Sequence, residues 1–370
     1  MRGQVKQFTL QWIVVMERLR INEAIARTFG NTDLRRCCNC EGTAADMNRS
    51  VKQRILACLK GIATGDAVGK QTETLSRADV LRWYPDGVRG FEGPPGTPIP
   101  RYVGNAKREW RIGETTDDTE GTIAVARAIL QDGDVRHTSV GRHLLECKKS
   151  VHPGVTSLWE FHQAGDPGRV TERHDGCGAA IRVAPVGILY RSDRLDDIVA
   201  AAREASISTH GGALAIAAAA ATAAAVSAAI DGASPPEIIE VAQRAATQAE
   251  RQRSDSADAT FAEALRTIHA DVDKCSELNP GAVAARWFPE NPLTIVPLAV
   301  ALGTVMQSAE AAILLATNVG GDSDSVASIA AAILGARCPE TVNNEWYAVV
   351  EQVNGHDLVS LAEDLTGLRC

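Results

Sequence analysis

The run from Ala213 to Ile230 constrains the fold most, because it is eighteen residues long and carries no charge. A run of this length meets the minimum for a helix that spans a membrane. Alanine is only weakly apolar, however, and Thr222 and Ser227 dilute the run further. We therefore interpret it as a buried helix that packs closely against its neighbours through small side chains.

The composition and periodicity of the rest of the chain predict an all-α protein. Apolar residues make up 45% of the chain and aromatic residues only 4%, which favours close-packed helices over a sheet-rich core. Many segments repeat apolar residues at spacings of three and four, and none alternates convincingly as a strand does. Predicted helices include Ser76–Tyr84, Thr122–Gln131, Val135–Lys149, Leu195–Glu204, Thr260–Val272, Ile295–Gln307 and Ala309–Thr317.

Charge and cysteine content exclude several classes of protein. The formal net charge of −8 favours neither a nucleic acid nor an anionic membrane as a partner. Most of the nine cysteines are isolated, which indicates a reducing cytoplasm and no disulfide framework. The cluster of Cys37, Cys38 and Cys40 lacks a fourth zinc ligand nearby, so we interpret these as free thiols. We predict a cytoplasmic protein without a signal peptide.

Residues 1–46 differ from the chain that follows. An amphipathic segment, residues 11–28, is followed by a polar, cysteine-rich stretch, and Met47 stands directly before a new helical pattern. Two interpretations stay open: a genuine N-terminal arm that docks on its own body or on a partner, or a start codon placed too early. We divide the chain into an N-terminal extension, 1–46, and a domain, 47–370.

An acidic turn lies between two apolar segments near the C-terminus. In the sequence 318–325, two glycines precede Asp322, Ser323, Asp324 and Ser325. Residues two apart on a helix point to nearly opposite sides, so the two aspartates can converge on one cation only if Gly320 and Gly321 make the backbone turn. The alternative is that these polar residues only cap the following helix.

A second acidic turn, Thr116-Asp117-Asp118-Thr119, precedes another predicted helix about two hundred residues earlier. If the two turns face each other, they offer carboxylate and hydroxyl oxygens, which are the ligands that Mg²⁺ prefers. Crowded carboxylates repel one another, and divalent cations offset that repulsion. The turns therefore predict a site for two Mg²⁺ ions. The predicted ligands are Thr116, Asp117, Asp118, Asp322, Asp324 and Ser325.

Five motifs in order resemble those of the ADP-ribosylglycohydrolases, a family that includes ADP-ribosylarginine hydrolase and dinitrogenase reductase-activating glycohydrolase. They are Gly65–Gly69, Thr116–Thr119, Gly176–Pro185, Thr209-His210 and Gly320–Ser325. The resemblance implies a compact all-α fold, a binuclear Mg²⁺ site that matches the six ligands above, and hydrolysis of the bond between ADP-ribose and an acceptor, most often arginine.

The resemblance also implies roles for single residues. Glu73, Asp118 and Asp324 are the candidate catalytic residues, and Glu73 has the solvated side chain of a polar loop as its alternative. The candidate substrate-binding residues are Gly176, Cys177, Gly178, His210, Gly320 and Gly321. Cys177 and Gly178 depart from the asparagine and serine common in the family, and His210 has a helix cap as its alternative.

The predicted function is Mg²⁺-dependent removal of ADP-ribose from arginine side chains of proteins. Two alternatives are a hydrolase of another ADP-ribose linkage, such as a serine-linked or small-molecule one, and a catalytically silent binding relative. Some members of the family act as immunity proteins against ADP-ribosyltransferase toxins. The extension before Met47 makes this a specific hypothesis, in which the arm blocks a toxin while the domain reverses its modification.

Overall fold

The computed structural model describes residues 44–106, 108–252 and 260–370, with side chains from residue 50 onward. The predicted arm, up to residue 43, and its cluster of Cys37, Cys38 and Cys40 lie outside the described residues. The division of the chain at residue 46 therefore stays a prediction.

The described residues form 16 α-helices and no strand, which confirms the predicted all-α fold. The α-helices are α1 (Ala44–Gly69), α2 (Arg77–Trp83), α3 (Asp117–Asp132), α4 (His137–Leu144), α5 (Thr156–Ala164), α6 (Ala184–Leu189), α7 (Leu195–Ser206), α8 (Ala213–Ile230), α9 (Pro235–Arg251), α10 (Phe261–Asp273), α11 (Pro280–Trp287), α12 (Pro292–Val305), α13 (Ala309–Val319), α14 (Ser323–Arg337), α15 (Asn344–Asn354) and α16 (Leu358–Leu368). Short 3₁₀ helices cover Pro100–Tyr102, Cys177–Ala179 and Pro339–Thr341.

Helix α8 is the uncharged alanine-rich run, and it lies in the core as predicted. Its length and composition would allow it to span a membrane, but 89% of it is buried inside the protein. Helices α6, α7, α9, α12 and α14 pack around it. Alanine side chains permit this because they keep the helix narrow and allow close approach from several sides.

Helix α4 is shorter than predicted. The sequence predicted a helix over Val135–Lys149, whereas α4 ends at Leu144. The carboxylate of Glu120 accepts hydrogen bonds from the backbone N–H groups of Lys148 and Lys149, at 2.7–3.0 Å. These bonds hold the segment after α4 against α3 in a non-helical conformation.

Helices α1 and α14 pack backbone against backbone along a row of glycines. A Cβ atom on Gly61 would lie 2.2 Å from the carbonyl oxygen of Ala331, and one on Gly69 would lie 2.5 Å from Cα of Asp324. Any larger residue would force the helices apart. This contact brings the C-terminal end of α1, with its polar residues, against the acidic start of α14.

Candidate active site

Both acidic turns lie on the wall of one cavity of about 1320 Å³. Ten of the candidate residues line it: Glu73, Asp117, Asp118, Gly176, Cys177, Gly178, His210, Asp322, Asp324 and Ser325. Thr116, Gly320 and Gly321 do not line the cavity; Thr116 and Gly321 directly precede residues that do, and Gly320 is one position further away. The tertiary structure therefore brings together segments that are about two hundred residues apart in sequence.

The first turn begins helix α3. Thr116 is the N-cap residue, and its hydroxyl accepts a hydrogen bond from the backbone N–H of Asp118 at 3.3 Å. Asp117 and Asp118 are the first two residues of the helix. Carboxylates at this position are stabilised by the helix dipole. The predicted hydroxyl ligand and the two predicted carboxylate ligands are thus adjacent.

Asp66 on α1 fixes this turn, and the sequence analysis did not assign it a role. Its carboxylate accepts hydrogen bonds from the N–H groups of Thr116 and Thr119, at 2.9 and 3.1 Å, and from the Thr119 hydroxyl at 2.5 Å. Complete burial raises its pKa to about 6, although these hydrogen bonds oppose the shift. Asp66 therefore orients the acidic turn from behind.

The second turn links α13 to α14 through Gly320 and Gly321, whose φ angles are +88° and +69°. Gly321 donates its N–H to the carbonyl of Leu75 at 2.8 Å and accepts from Thr74 N–H at 2.8 Å. The N–H of Asp322 donates to the carbonyl of Pro289 at 2.8 Å. Left-handed φ angles favour glycine, so both glycines serve the shape of the turn.

The side chain of Asp322 does not cap α14. Asp322 stands at the N-cap position but makes no capping hydrogen bond, and its carboxylate instead accepts from the thiol of Cys177 at 3.2 Å. Asp324 is the second residue of the helix and is 3% exposed. The capping alternative therefore fails for Asp322, whose carboxylate faces the cavity.

Asp118 and Asp324 each bury an oxygen atom that has no hydrogen-bond partner. These atoms, both Oδ1, belong to side chains that are 2% and 3% exposed. Burial is the largest cause that raises the pKa of both carboxyl groups well above the ordinary value; nearby carboxylates, including Asp66 and Asp322, raise it further, and Lys70 opposes the shift. Buried carboxylate oxygens without partners are costly unless a cation compensates them.

The donor set fits a hard divalent cation. No three Asp, Glu, His or Cys side chains in residues 44–106, 108–252 and 260–370 converge closely enough to form a complete ligand set alone. A cation at the two open oxygens would therefore take hydroxyl or water oxygens as well, as Mg²⁺ commonly does. Thr116 and Ser325 carry such hydroxyls beside the carboxylates.

A lysine that the sequence analysis did not select stands next to the acidic cluster. The Lys70 ammonium forms an ion pair with Glu73, lies 4.0 Å from Oδ2 of Asp324 and lies 4.2 Å from the centre of the Trp110 ring. Its side chain is 6% exposed. Glu73 therefore lies at the cavity in an ion pair, and is not the solvated charge of its alternative interpretation. In the sequence, the only indication of Lys70 is that a charged residue directly follows Gly69.

His210 lines the cavity next to the 3₁₀ helix that begins at Cys177. Its Nε2 is 3.1 Å from the hydroxyl of Ser157 and its Nδ1 is 2.8 Å from the hydroxyl of Thr209. Burial, followed by the nearby Arg182, lowers its pKa well below the ordinary value, so the ring is neutral. A Cβ on Gly178 would lie 2.5 Å from the ring, which explains why a small residue stands there.

His210 does not cap helix α8, in contrast to its alternative interpretation. The N-cap residue is Gly212, and the carboxylate of Asp175 accepts hydrogen bonds from the N–H groups of Leu214 and Ala215 at 2.9 and 3.4 Å. Asp175 therefore supplies the capping oxygen from the loop before Cys177. His210 instead packs against Gly176 and Gly178 and forms part of the cavity wall.

The chain belongs to the ADP-ribosylglycohydrolase family, whose model matches residues 47–370. Members of this family use metal ions. Escherichia coli (strain K12) protein YegU is 32% identical over 299 residues, which cover 77% of this chain and 87% of that protein. Mus musculus ADP-ribosylhydrolase ARH3 is 26% identical over 351 residues, which cover 83% and 90%.

A solved structure titled an ADP-ribosylglycohydrolase-related protein complex has the same fold. It superposes with a TM-score of 0.64 at 23% identity and covers 87% of this chain and 100% of the matched chain. The fold and the family resemblance drawn from the five motifs are thereby confirmed.

Proposed function

We propose that the protein hydrolyses the bond between ADP-ribose and an arginine side chain of a protein, and that it requires Mg²⁺. The observation that carries the proposal is the cavity whose wall bears both acidic turns, with an open buried oxygen on Asp118 and another on Asp324. Its volume of about 1320 Å³ exceeds the ordinary range for a small-ligand pocket, so it leaves room for a nucleotide sugar together with its acceptor.

The residues of the two turns would hold two Mg²⁺ ions. Asp118 and Asp324 offer open oxygens, Asp117 and Asp322 lie beside them, and the hydroxyls of Thr116 and Ser325 complete the oxygen set. When bound, the metal supplies a polarising positive charge that favours deprotonation of water and orients hydroxyl groups of the sugar.

Residues of the chain then hold the substrate and move the protons. Glu73 lies at the cavity and can accept a proton from the attacking water once it leaves Lys70. The water oxygen joins the anomeric carbon, the bond from that carbon to the acceptor nitrogen breaks, and the departing nitrogen takes the proton that Glu73 received from the water. Asp66 takes no proton from substrate and keeps the first turn in place.

A neutral or anionic acceptor, such as a serine or glutamate linkage, is the second candidate. Lys70 and Arg108 both line the cavity, and the Arg108 guanidinium lies 4.0 Å from the Trp110 ring. An acceptor that lies beside these two cations is favoured when it carries no positive charge, whereas an acceptor that lies beside the carboxylates of the same cavity is favoured when it is a guanidinium. The second candidate therefore rests on the two cations, and the first rests on the carboxylates and the family resemblance.

One experiment separates these candidates. The full chain is incubated with proteins ADP-ribosylated on arginine, on serine or on glutamate, with Mg²⁺ or with a chelator, and the released sugar is identified by mass spectrometry. Release of ADP-ribose from the arginine substrate alone, and only with Mg²⁺, supports the first candidate. Release from serine or glutamate alone supports the second, and equal release with the chelator overturns the metal requirement.

We also propose that residues 1–46 bind a cognate ADP-ribosyltransferase toxin. The support is the amphipathic pattern of residues 11–28, which precedes the region that the family model matches. The test compares the full chain with a chain that starts at Met47. Co-purification of the toxin with the full chain alone supports the proposal, and equal binding by both chains contradicts it.

A further inference from the structure

The Lys70 ammonium occupies a position among carboxylates that a divalent cation would also favour. It pairs with Glu73 and lies 4.0 Å from Oδ2 of Asp324, with its side chain 6% exposed. The Trp110 ring, 4.2 Å away, adds a cation–π contact on another side of the ammonium. Lys70 is thus held in place by three neighbours of complementary charge or quadrupole.

The carboxylates of this cluster divide into two sets by their contact with Lys70. Oδ2 of Asp324 and the carboxylate of Glu73 face the ammonium, whereas Oδ1 of Asp324 and Oδ1 of Asp118 are buried and have no partner. At 4.0 Å the ammonium and Oδ2 of Asp324 attract each other by charge but are too far apart for a hydrogen bond. A divalent cation therefore finds the two Oδ1 atoms open, whereas a cation near Glu73 and Oδ2 of Asp324 would be repelled by the ammonium.

We infer that Lys70 competes with the second of two divalent cations, so that the ions bind in order and the second binds only when the ammonium leaves Asp324 and Glu73. Asp118 and Asp324, whose Oδ1 atoms are open, would hold the first ion. Two effects then weaken binding of the second ion: the ammonium repels its charge, and the ion pair between Lys70 and Glu73 must break. This inference rests on the proposed cation site, and it assigns Lys70 as the residue that sets the occupancy of the second position.

The test measures Mn²⁺ binding to the full chain by calorimetry and by electron paramagnetic resonance, without substrate. We expect the first equivalent to give the spectrum of an isolated ion, and the spin-coupled pair to form only afterwards, with a second Kd at least about tenfold weaker than the first. In Lys70→Met we expect the second Kd to fall at least about tenfold, because the competing ammonium is gone.

Two variants serve as controls. Lys70→Arg keeps a cation at the site and should retain two well-separated Kd values. Lys52→Met removes an exposed lysine that pairs with Glu363 on the surface, and it should leave both Kd values unchanged. Far-ultraviolet circular dichroism establishes that each variant is folded. If Lys70→Met does not fold, Lys70→Gln, which also lacks the positive charge, is measured in its place with the same expected fall in the second Kd.

Two results overturn the inference while the cation site stands. One is a spin-coupled pair that already dominates below one equivalent of Mn²⁺ in the unaltered chain. The other is a second Kd that is the same in Lys70→Met and in the unaltered chain. Absence of Mn²⁺ binding in the unaltered chain and in Lys70→Met overturns the proposed metal site itself, so the two failures are distinguishable.

Discussion

The two acidic turns lie on one cavity, yet the protein holds them in different ways. A side chain holds the first turn: the buried carboxylate of Asp66 accepts hydrogen bonds from Thr116 and Thr119. Backbone contacts hold most of the second: the N–H groups of Gly321 and Asp322 donate to the carbonyls of Leu75 and Pro289, and Gly69 lies against Asp324. One side chain also takes part, since the Ser323 hydroxyl donates to the carbonyl of Gly69 at 2.9 Å. The position of the first turn therefore depends on the charge of Asp66. The position of the second turn depends mainly on close backbone contacts, which leave no room for larger side chains.

This difference means that the turns should fail in different ways. A charge can be removed with little change in volume, so the first turn is sensitive to pH and to isosteric substitution. A substitution cannot delete a backbone contact, but a larger side chain in place of glycine can prevent it. The second turn is therefore sensitive to replacement of its glycines.

Removal of a carboxylate from either turn should abolish turnover. Asp118→Ala and Asp324→Ala should each lower kcat on the order of 10³-fold, because each removes an open oxygen from the cavity wall. The fold should survive, since each substitution also removes a buried charge. Activity assays on the identified substrate and circular dichroism measure the two effects. Asp193→Ala, at an exposed aspartate, is the matched control. Full turnover of either variant at saturating Mg²⁺ would exclude its carboxylate from the site.

Asp66→Asn should disturb the first turn alone. An amide retains the shape but accepts fewer hydrogen bonds from Thr116 and Thr119, so we expect activity to fall about 10- to 100-fold, as for residues that orient metal ligands. Rescue by a higher Mg²⁺ concentration should be partial. Activity measured against Mg²⁺ concentration tests this, and a variant that matches the unaltered chain at every concentration would contradict the role of Asp66.

Gly321→Ala should disturb the second turn alone. Its φ of +69° costs an alanine about 1–2 kcal/mol, and the added Cβ would lie 2.5 Å from the carbonyl oxygen of Pro289. We expect the free energy of unfolding to fall by roughly 3 kcal/mol in total. Gly355→Ala is the matched control, because its φ is +64° and nothing lies within 4 Å.

Denaturant unfolding measures both glycine variants. In the control, the free energy of unfolding should fall only by about 1–2 kcal/mol, which is the cost of the left-handed backbone by itself. If the free energy of unfolding falls equally in Gly321→Ala and Gly355→Ala, the structure accommodates the added Cβ next to Pro289 without cost. The second turn would then not depend on close packing.

The gain in thermal stability from Mg²⁺ should grow with pH. Burial raises the pKa of Asp118 and Asp324, and that of Asp66 to about 6, so the folded protein holds protons that the unfolded chain has released. The metal-free protein therefore loses stability as pH rises through these raised pKa values. Mg²⁺ binds ionised carboxylates, so its effect on Tm should be larger at about pH 8 than at about pH 5.5.

Thermal melts with Mg²⁺ or a chelator at both pH values measure this effect. Asp118→Asn should reduce the pH dependence of the metal-free protein, because one titrating carboxyl group is gone. An Mg²⁺ effect that is the same at both pH values would show that these carboxylates are not the groups that bind the cation.

Cys177→Ser should have the smallest effect. Serine retains a donor to the carboxylate of Asp322, where the thiol now donates at 3.2 Å. We expect less than about a tenfold change in kcat/KM, and most of it in KM, since the residue lines the cavity beside the second turn. Steady-state kinetics of this variant and of Cys275→Ser, away from the cavity, provide the comparison.

Much of this cavity wall could be predicted from the sequence because the candidate metal-binding residues occur in short motifs. Thr116–Asp118 and Asp322–Ser325 each supply several oxygens within four residues, and glycines before the second turn signal an unusual backbone. Glu73 and His210, which the family motifs selected, also line the cavity. Lys70, Asp66 and Asp175 received no role, because a single charged residue has no pattern until its neighbours in space are known.

The helical class, the buried alanine-rich helix and the oxygen-rich composition of the two turns follow from residues that are close along the chain. That both turns line one cavity depends on tertiary packing. Helices α1 and α14 approach through Gly61, Gly65 and Gly69, and this contact places Asp324 beside Lys70. Such a pairing joins residues 254 positions apart, as the hydrogen bond from Ser323 to Gly69 does. No local pattern specifies it, because it depends on how whole helices pack.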